Sequence, residues 1–329
     1  MKQPVAVAVI GCGYLGSIHA RLWTQCQRAV LVGVFDIVAE RARKLAAELG
    51  VPAFGSLGEA LDACEAVTVA TTTSEHANVA CAALEGGKHV LLEKPVAATL
   101  EEAERIEVAA ARAGTVVHVG HVERYNPAFR AALRYVTRPL FIEAHRLSPF
   151  RKRGTDVSVI GDLMVHDLDL VLALTREPVV RIEAHGVGVI SSSVDIANAR
   201  LEFASGCIAN LTASRLTPKP LRKLRLFQPM AYMSLDFSVP DLEVYRIDDG
   251  QHDGGGTIVA HAGGNAIWYE HPLIEPGNAI ADEHRAFVAS ILDGAPAIVS
   301  LSDGIAALRL AAAIEQEVQK RMEQLQLRR

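Results

Sequence analysis

Residues 5–16 read VAVAVIGCGYLG, an apolar run of β-branched and small residues that leads directly into a glycine-rich turn. A strand, the pattern GxGxxG and a following helix together are typical of dinucleotide-binding sites. Gly11 permits the tight turn, Gly13 lets a pyrophosphate approach the backbone, and Gly16 lets the helix pack on the sheet. The free N–H groups at the start of the helix would bind the phosphates.

A second apolar strand, residues 30–35, ends in Asp36. This lies about 20 residues beyond the turn, where a carboxylate accepts hydrogen bonds from the adenosine ribose. The pattern favours NAD. Arg41 and Arg43 could instead bind the 2′-phosphate of NADP, but a charged Asp36 would repel that group. The residues expected to contact the cofactor are Gly11, Gly13, Tyr14, Leu15, Gly16, Asp36, Arg41, Thr71, Thr72, Thr73, His76, Glu93 and Lys94.

The composition restricts the class of protein. A chain of 329 residues with a 50% hydrophobic content suggests two domains. A net charge of -5 provides no general attraction for nucleic acid or anionic membranes. Five cysteines without CxxC spacing argue against a disulfide framework and structural zinc. With no membrane-length apolar stretch and no signal peptide before the first strand, we expect a cytoplasmic protein.

Strands and helices alternate through the first 120 or so residues, which predicts an α/β fold with a doubly wound parallel sheet. Beyond Arg124 the pattern changes to longer alternating runs with one helix over residues 160–175. These runs predict a second α/β domain built on an open, mostly antiparallel sheet. We therefore predict a Rossmann domain over residues 1–122 and a substrate-binding, oligomerisation domain over residues 123–329.

Two further motifs bring reactive side chains behind the nucleotide-binding region. Glu93-Lys94-Pro95 follows a short apolar strand, and Asp162 precedes His166 by four residues. In a doubly wound sheet the loops after the strands converge on one crevice, so Lys94 is expected there. On a helix, residues four apart share a face, so Asp162 and His166 can both point into the crevice.

The chain resembles the Gfo/Idh/MocA oxidoreductases over essentially its whole length. The resemblance rests on residues 11–20 as GxGxxGxxHA, residues 87–95 as GKHVxxEKP and residues 162–169 as DxxxHDxD. It implies a Rossmann domain followed by an α/β domain whose open sheet forms the contact of a homodimer or homotetramer. It also implies that Lys94, Asp162 and His166 line the active site.

A closer resemblance, to one branch of this family, is carried by residues 163–170, 195–200, 212–215 and 222–228. That branch includes an enzyme that oxidises the C3 hydroxyl of UDP-N-acetylglucosamine to a 3-keto sugar used for 2,3-diamino lipid A. The resemblance therefore implies a UDP-sugar substrate. Similarity in strands can follow the scaffold as well as the substrate.

Oxidation of a secondary alcohol needs a proton acceptor, stabilisation of the developing alkoxide and a hydride acceptor at a fixed distance. We expect His166 to take the proton, Lys94 to stabilise the oxygen and Asp162 to tune both. A neutral Lys94 acting as the base is the reverse possibility. We predict no metal-binding site, because Asp167 and Asp169 do not share a helix face with Asp162 and His166.

Two other functions are compatible with these motifs. One is a dehydrogenase of another polyol or sugar, such as inositol or a free hexose. The other is a non-catalytic NAD-binding sensor, which the presence of all three reactive residues disfavours.

Arginines near the second motif suggest how a diphosphate would be bound. The residues expected to contact the substrate are Arg124, Tyr125, Asn126, Arg146, Arg153 and His166. A second basic segment, residues 215–225, allows two interpretations, a phosphate contact or a solvated strand edge.

Overall fold

The computed structural model describes residues 3–150, 157–191, 193–247 and 256–326. The chain divides into two compact units, Met1–Tyr125 with Asn278–Leu308 and Asn126–Gly277 with Arg309–Arg329. The sequence predicts two contiguous domains, whereas the first unit also takes in a segment from near the C-terminus. Phe287 and Val288 of that segment explain this, because they pack in one apolar cluster with Val7 and Trp23.

The first unit is an alternation of strands and helices, as expected. Its elements are β1 (Val5–Ile10), α1 (Tyr14–Trp23), β2 (Ala29–Phe35), α2 (Ala39–Leu49), α3 (Leu57–Asp62), β3 (Ala66–Val69), α4 (Thr73–Glu85), β4 (His89–Leu92), α5 (Leu100–Ala113), β5 (Val117–Val119), a 3-10 helix (Val122–Tyr125), α8 (Ala279–Asp293) and the start of α9 (Leu301–Gln326).

The five strands form one parallel sheet in the order β2-β1-β3-β4-β5. The predicted doubly wound sheet is confirmed. The order reverses between β1 and β3, and the ends of these two strands form the crevice where such sheets bind ligands. Gly11 follows β1 and Thr71 lies just past β3, so the glycine turn stands at that point.

Within its described residues, the second unit contains nine strands and the remaining helices. Its elements are α6 (Pro127–Ala132), β6 (Phe141–Leu147), a π-helix (Ile160–Met164), α7 (Val165–Thr175), β7 (Val179–Val187), β8 (Ile196–Phe203), β9 (Ile208–Ser214), β10 (Leu221–Gln228), β11 (Ala231–Asp236), β12 (Asp241–Ile247), β13 (Thr257–Ala262), β14 (Asn265–Glu270) and the rest of α9.

The strands of the second unit form one sheet in the order β13-β14-β12-β11-β10-β6-β9-β8-β7. All of its pairs are antiparallel except β6 with β9, which confirms the predicted mostly antiparallel sheet. Apolar residues of α6, α7 and α9, including Phe129, Leu168 and Ile314, cover one face of the sheet.

The basic segment 215–225 is not at a sheet edge. Its strand β10 pairs with β6 on one side and β11 on the other. The interpretation of this segment as a solvated strand edge was therefore wrong. Arg225 and Lys223 lie on the outer face beside Glu143 and Asp236, at 3.5 and 3.6 Å. The alternation of the strand sends these charges outward, because Leu224 and Leu226 point into the core.

Candidate active site

The glycine turn after β1 has the shape that a bound pyrophosphate requires. Gly11 has a φ of +98°, and a Cβ added there would stand 2.5 Å from the carbonyl oxygen of Ala70. A Cβ added to Gly16 would stand 1.8 Å from the carbonyl oxygen of Gly11. By contrast, a Cβ at Gly13 would meet nothing within 4 Å. Two glycines therefore permit close packing, and the third leaves open space beside the backbone.

Gly13 is also the N-cap of α1, and no side chain caps this helix. The N–H groups of its first turn are therefore available to an anion. Tyr14, in this turn, is 69% exposed. The turn thus fits the phosphates of a dinucleotide.

Asp36 lies next to the glycine turn at the end of β2. Its carboxylate accepts hydrogen bonds from the backbone N–H of Cys12 (2.7 Å) and of Val38 (2.8 Å). A carboxylate can accept about four such bonds, so capacity remains for the ribose hydroxyls. Arg41, in the first turn of α2, is exposed.

The loop after β3 lies against the glycine turn, because the backbone of Ala70 and Thr71 is what a Cβ at Gly11 would strike. Thr72 is the N-cap of α4, and its side chain makes no capping bond. Its hydroxyl instead lies 3.2 Å from that of Ser74. The structure therefore brings the threonine loop and the glycine turn together, as the sequence predicts.

The loop of Lys94 is held by polar groups on both sides. Glu93 accepts a hydrogen bond from the backbone N–H of Lys94 (3.3 Å) and lies 2.7 Å from the ring of His19. His76 bonds through Nδ1 to the carbonyl oxygen of Pro95 (2.8 Å). Burial lowers the pKa of His76, although the Pro95 carbonyl opposes the shift, so this ring is neutral and donates. Glu93 and His76, expected at the cofactor, are both buried beneath the Lys94 loop.

Three of the expected substrate contacts follow β5. Arg124, in the 3-10 helix, lies 3.7 Å from Asp303 and keeps 11% of its side chain exposed. Tyr125 is 1% exposed and belongs to the apolar core of the first unit. Asn126 caps α6 by accepting from the N–H of Ala128 (3.1 Å). Of the three, Arg124 is the one with its side chain partly at the surface.

Asp162 and His166 lie where a π-turn runs into an α-helix. The π-helix covers Ile160–Met164, and the N–H of Val165 bonds to the carbonyl of Ile160. Four residues make about one turn in either kind of helix, so both side chains leave the backbone on the same side. Both residues are half-buried. π-Turns inside helices occur frequently at functional sites.

The helix that carries His166 is anchored to the sheet by a buried ion pair. Arg146 of β6 contacts Asp167 of α7 through Nε (3.1 Å to each carboxylate oxygen) and a terminal nitrogen (2.8 Å). Both side chains are about 4% exposed. Arg146, expected to bind substrate, therefore holds α7 instead of presenting its charge at a surface. Arg153 lies outside the described residues.

A second buried pair fixes the start of the same helix. Asp195 accepts from Arg215 Nε (2.8 Å) and from the backbone N–H groups of Val189, Ile190 and Ser191. Arg215 in turn donates to the carbonyl of Val157 (2.9 Å). Burial tends to raise the pKa of Asp195, but the bonds from Ser191 and its neighbours outweigh this effect and hold it well below the usual range.

This second pair was missed as a site feature. The sequence shows Arg215 only as part of a basic run. Asp195 lies 20 residues before it, and no local pattern indicates that the two residues pair. The pair ties residues 157–159 to the loop between β7 and β8, since Val159 also bonds to the carbonyl of Val194 (3.0 Å).

The comparisons with known proteins define the class. Residues 5–121 match the family model described as oxidoreductase family, NAD-binding Rossmann fold, and residues 108–227 match that of the GFO/IDH/MocA C-terminal domain. The chain belongs to the Gfo/Idh/MocA oxidoreductases. Its first unit is the NAD-binding Rossmann domain of that family, so the expected NAD cofactor is confirmed.

Among curated relatives, the chain is similar to UDP-N-acetylglucosamine 3-dehydrogenase of Acidithiobacillus ferrooxidans, with 37% identity over 94% of this chain and 95% of that protein. It is 29% identical to scyllo-inositol 2-dehydrogenase (NAD(+)) of Bacillus subtilis over 66% and 69% of the two chains. The solved structure of the A. ferrooxidans enzyme superposes with a TM-score of 0.88 and 33% identity, covering 97% of this chain and 99% of that one. No described helix is both long and apolar enough to span a membrane.

Proposed function

We propose that this protein is an NAD-dependent dehydrogenase that oxidises the C3 hydroxyl of UDP-N-acetylglucosamine to the 3-keto sugar. The observation that carries the proposal is the similarity to UDP-N-acetylglucosamine 3-dehydrogenase, which extends over both units at 37% identity. The similarity to the scyllo-inositol enzyme is lower and covers two thirds of the chain. The family fold, the glycine turn and the three reactive residues support a dehydrogenase.

Bound NAD would supply the hydride acceptor. The glycine turn and the start of α1 would hold its pyrophosphate, and Asp36 would accept from the ribose hydroxyls. Asp36 also favours NAD over NADP, because its negative charge repels a 2′-phosphate.

His166 is proposed as the general base that removes the hydroxyl proton of the sugar. Asp162 shares its side of the helix, where a carboxylate can orient the ring and stabilise the charge that the ring gains. The two ion pairs that anchor this helix, Arg146 with Asp167 and Asp195 with Arg215, hold the base in one orientation.

Lys94 is proposed to donate a hydrogen bond to the same oxygen and to stabilise its developing negative charge. The backbone around it is fixed, since Glu93 binds the Lys94 N–H and His76 binds the Pro95 carbonyl. A fixed ammonium donor suits this task because it does not have to reorganise during the reaction.

Arg124 and Arg153 are proposed as contacts to the diphosphate of the substrate. Arg124 has part of its side chain exposed beside Asp303, and a guanidinium suits bidentate binding of phosphate. The 3-keto product would be a substrate for transamination to a 2,3-diamino sugar, as used for lipid A. All five cysteines are free thiols, which suits the reducing cytoplasm.

A homo-oligomer through the outer face of the second sheet is part of the proposal. A row of rings crosses this face, with neighbouring centroids 4.8 to 6.2 Å apart: Phe141, Phe227, Tyr232, Tyr245, Tyr269 and His271. Exposed apolar patches of this kind mark interaction sites. Tyr245→Arg should lower the mass measured by light scattering to that of a monomer, whereas Val239→Arg, at a 75% exposed position, should leave the mass unchanged.

A substrate panel tests the function. Purified protein is given NAD with UDP-N-acetylglucosamine, free N-acetylglucosamine, myo-inositol or glucose, and the absorbance of NADH is followed, with hydroxylamine present to trap the ketone. We expect NADH with the UDP-sugar at a kcat/KM at least about 100-fold above that with the others, a preference of roughly 2.7 kcal/mol. Turnover of inositol or glucose instead would support a polyol dehydrogenase, and NAD binding without any turnover would support a sensor.

A further inference from the structure

A row of buried polar side chains supports the Lys94 loop from within the first unit. His284 of α8 stacks on Trp23 of α1, with ring centroids 3.7 Å apart and planes 3° from parallel. Trp23 donates to the hydroxyl of Thr68 (2.8 Å). His284 Nε2 lies 2.8 Å from His19 Nδ1, and His19 Nε2 lies 2.7 Å from Glu93. The row therefore connects a helix near the C-terminus to the residue before Lys94.

The hydrogen bonds of this row run toward Glu93. An ionised carboxylate only accepts, so His19 donates through Nε2. With one N–H on each ring, His19 then accepts at Nδ1 from His284 Nε2. The remaining nitrogen of His284, Nδ1, has no partner among the described residues, as suits a bare acceptor. Burial, with His19 and Arg285 nearby, holds the pKa of His284 well below its ordinary value.

Glu283 lies beside this row and is 0% exposed. Ligand atoms of His19, Glu93 and Glu283 all lie within 4.8 Å of one another. In the part of the chain that the structure describes, neither carboxylate oxygen of Glu283 has a hydrogen-bond partner. Leaving two buried carboxylates charged at this distance would be costly, because each disfavours ionisation of the other.

A metal ion fits this cluster poorly. Two ligands of one tetrahedral zinc ion stand about 3.3 Å apart, whereas His19 and Glu93 approach to 2.7 Å. All three residues are also under 9% exposed, which leaves no entry path for a hydrated ion. A proton shared among His19, Glu93 and Glu283 needs neither a wider spacing of the ligand atoms nor an entry path for a hydrated ion.

We propose that Glu283 keeps its proton in the folded protein and offers it to the Glu93 carboxylate, which makes Glu283 a positioning residue for Lys94. Burial and the nearby charge of Glu93 raise the pKa of Glu283 well above its ordinary value. Glu93 would then collect three donors, from His19, from the Lys94 backbone and from Glu283. The inference about Lys94 rests on the proposed function, whereas the inference about the proton does not.

The carboxylate of Glu93 has little freedom to leave this arrangement. A Cβ added to Gly120 would stand 2.9 Å from its Cδ, so the backbone of Gly120 packs directly on the carboxylate. The elements around α8 include α1, the 3-10 helix and β5. Glu93, from the Lys94 loop, and His19, from α1, are the titratable groups whose ligand atoms lie within 4.8 Å of those of Glu283. The other titratable groups on the packed faces of these elements and beside Glu283 on α8 are His118, Glu123, Arg124, Tyr125, Asp282, His284 and Arg285.

The stability of wild type and of one variant, Glu283→Gln, tests whether Glu283 keeps its proton in the folded protein. Glu283→Gln copies the protonated acid, whereas wild-type Glu283 must hold its proton against rising pH. A group whose pKa is raised on folding loses its stabilising effect as pH rises above the unfolded value, here 4.5. We expect the unfolding constant of wild type, relative to Glu283→Gln, to rise about tenfold per pH unit above that value until the folded pKa is reached. A ratio that is independent of pH from about 5 to 8 would overturn the proposal.

Steady-state kinetics tests whether Glu283 positions the Lys94 loop. Glu283→Gln should keep the wild-type kcat within about twofold, while Glu283→Ala should lower kcat about tenfold or more at unchanged KM for NAD, because the Lys94 loop loses support. An active wild type whose kcat is unchanged in Glu283→Ala would overturn the positioning role. A wild type without activity on any substrate would contradict the proposed function. The ratio of the unfolding constants of wild type and Glu283→Gln would still show whether Glu283 keeps its proton.

Discussion

The Lys94 loop of the first unit and the His166 helix of the second unit are both supported by buried polar groups, but of different kinds. Under the Lys94 loop, His284, His19 and Glu93 form a hydrogen-bonded row in which His284 is neutral. Beside the His166 helix, two arginine–aspartate pairs are almost completely buried. Glu283, beside the row, has a raised pKa, so we expect its effect on stability to change as pH rises. Asp195, in one of the two pairs, has a lowered pKa, so we expect its effect to change as pH falls.

This difference matches the tasks we assign. The loop presents a cation, Lys94, and the row beneath it holds that loop through two imidazole rings and one carboxylate, Glu93. The helix presents a base, His166, whose geometry matters most. The Arg146–Asp167 pair, which contacts through two guanidinium nitrogens, fixes that geometry strongly.

The largest effect is expected at the base. His166→Asn should lower kcat/KM by roughly 10² to 10⁴ and remove the acid limb of the pH profile that a histidine base imposes. The control is His261→Asn, on the exposed strand β13. An unchanged pH profile in a weakened His166→Asn variant would assign the base to Lys94 instead.

Removal of the lysine should have the next largest effect. Lys94→Ala should lower kcat by roughly 10² to 10³, because one donor to the developing alkoxide is lost, while titration with NAD should show unchanged binding. Lys44→Ala, on the exposed face of α2, provides a matched loss of charge. Normal turnover by Lys94→Ala would remove the lysine from the mechanism.

The ion pairs should affect stability more than chemistry. Arg215→Met leaves Asp195 buried and charged, which should lower the free energy of unfolding by about 3 to 5 kcal/mol in urea titrations. Arg225→Met, which loses the half-exposed pair with Glu143, should cost at most about 1 kcal/mol. Equal losses in the two variants would mean that the buried pair has no special role.

The buried pair also has a predictable pH dependence. The pKa of Asp195 is lowered on folding, so its stabilising effect is present above the unfolded value of 3.8 and is lost as pH falls below it. Ser191→Ala removes one of the hydrogen bonds that lower this pKa. The stability difference between wild type and Ser191→Ala should therefore shrink on acidification, opposite to the dependence expected at Glu283.

The smallest effect is expected at the cofactor ribose. Asp36→Asn should raise KM for NAD about tenfold, because a charged acceptor is replaced by a neutral one, and it should improve the use of NADP by removing repulsion. Steady-state kinetics with both nucleotides would measure this, with Asp62→Asn, an exposed aspartate at the end of α3, as the control. A preference for NADP in wild type would contradict the role of Asp36.

The sequence predicts the features that depend on short, contiguous motifs. The glycine turn, Asp36 and the strands of the first sheet follow from short patterns, and the structure places the turn and the threonine loop together. The strands β13 and β14 show no clear alternation of apolar and polar faces, because β13 is exposed at every position and β14 is nowhere fully buried.

Contacts between distant residues could not be predicted. The return of Asn278–Leu308 to the first unit depends on packing against β1 and α1, and no local motif reports it. Glu283 meets Glu93 only in the folded chain, and Arg146 and Arg215 look like ligand-binding arginines until their buried aspartates are known. Tertiary pairing thus decided which charged residues support the fold.

The most direct test follows the hydrogen at C3. UDP-N-acetylglucosamine labelled with deuterium at C3 of the sugar is incubated with the protein and NAD, and the nucleotide product is analysed by mass spectrometry. The proposed reaction predicts that the reduced nucleotide carries the deuterium and that the sugar loses it. Unlabelled NADH from the C3-labelled substrate, with the deuterium still in the sugar, would contradict oxidation at this carbon.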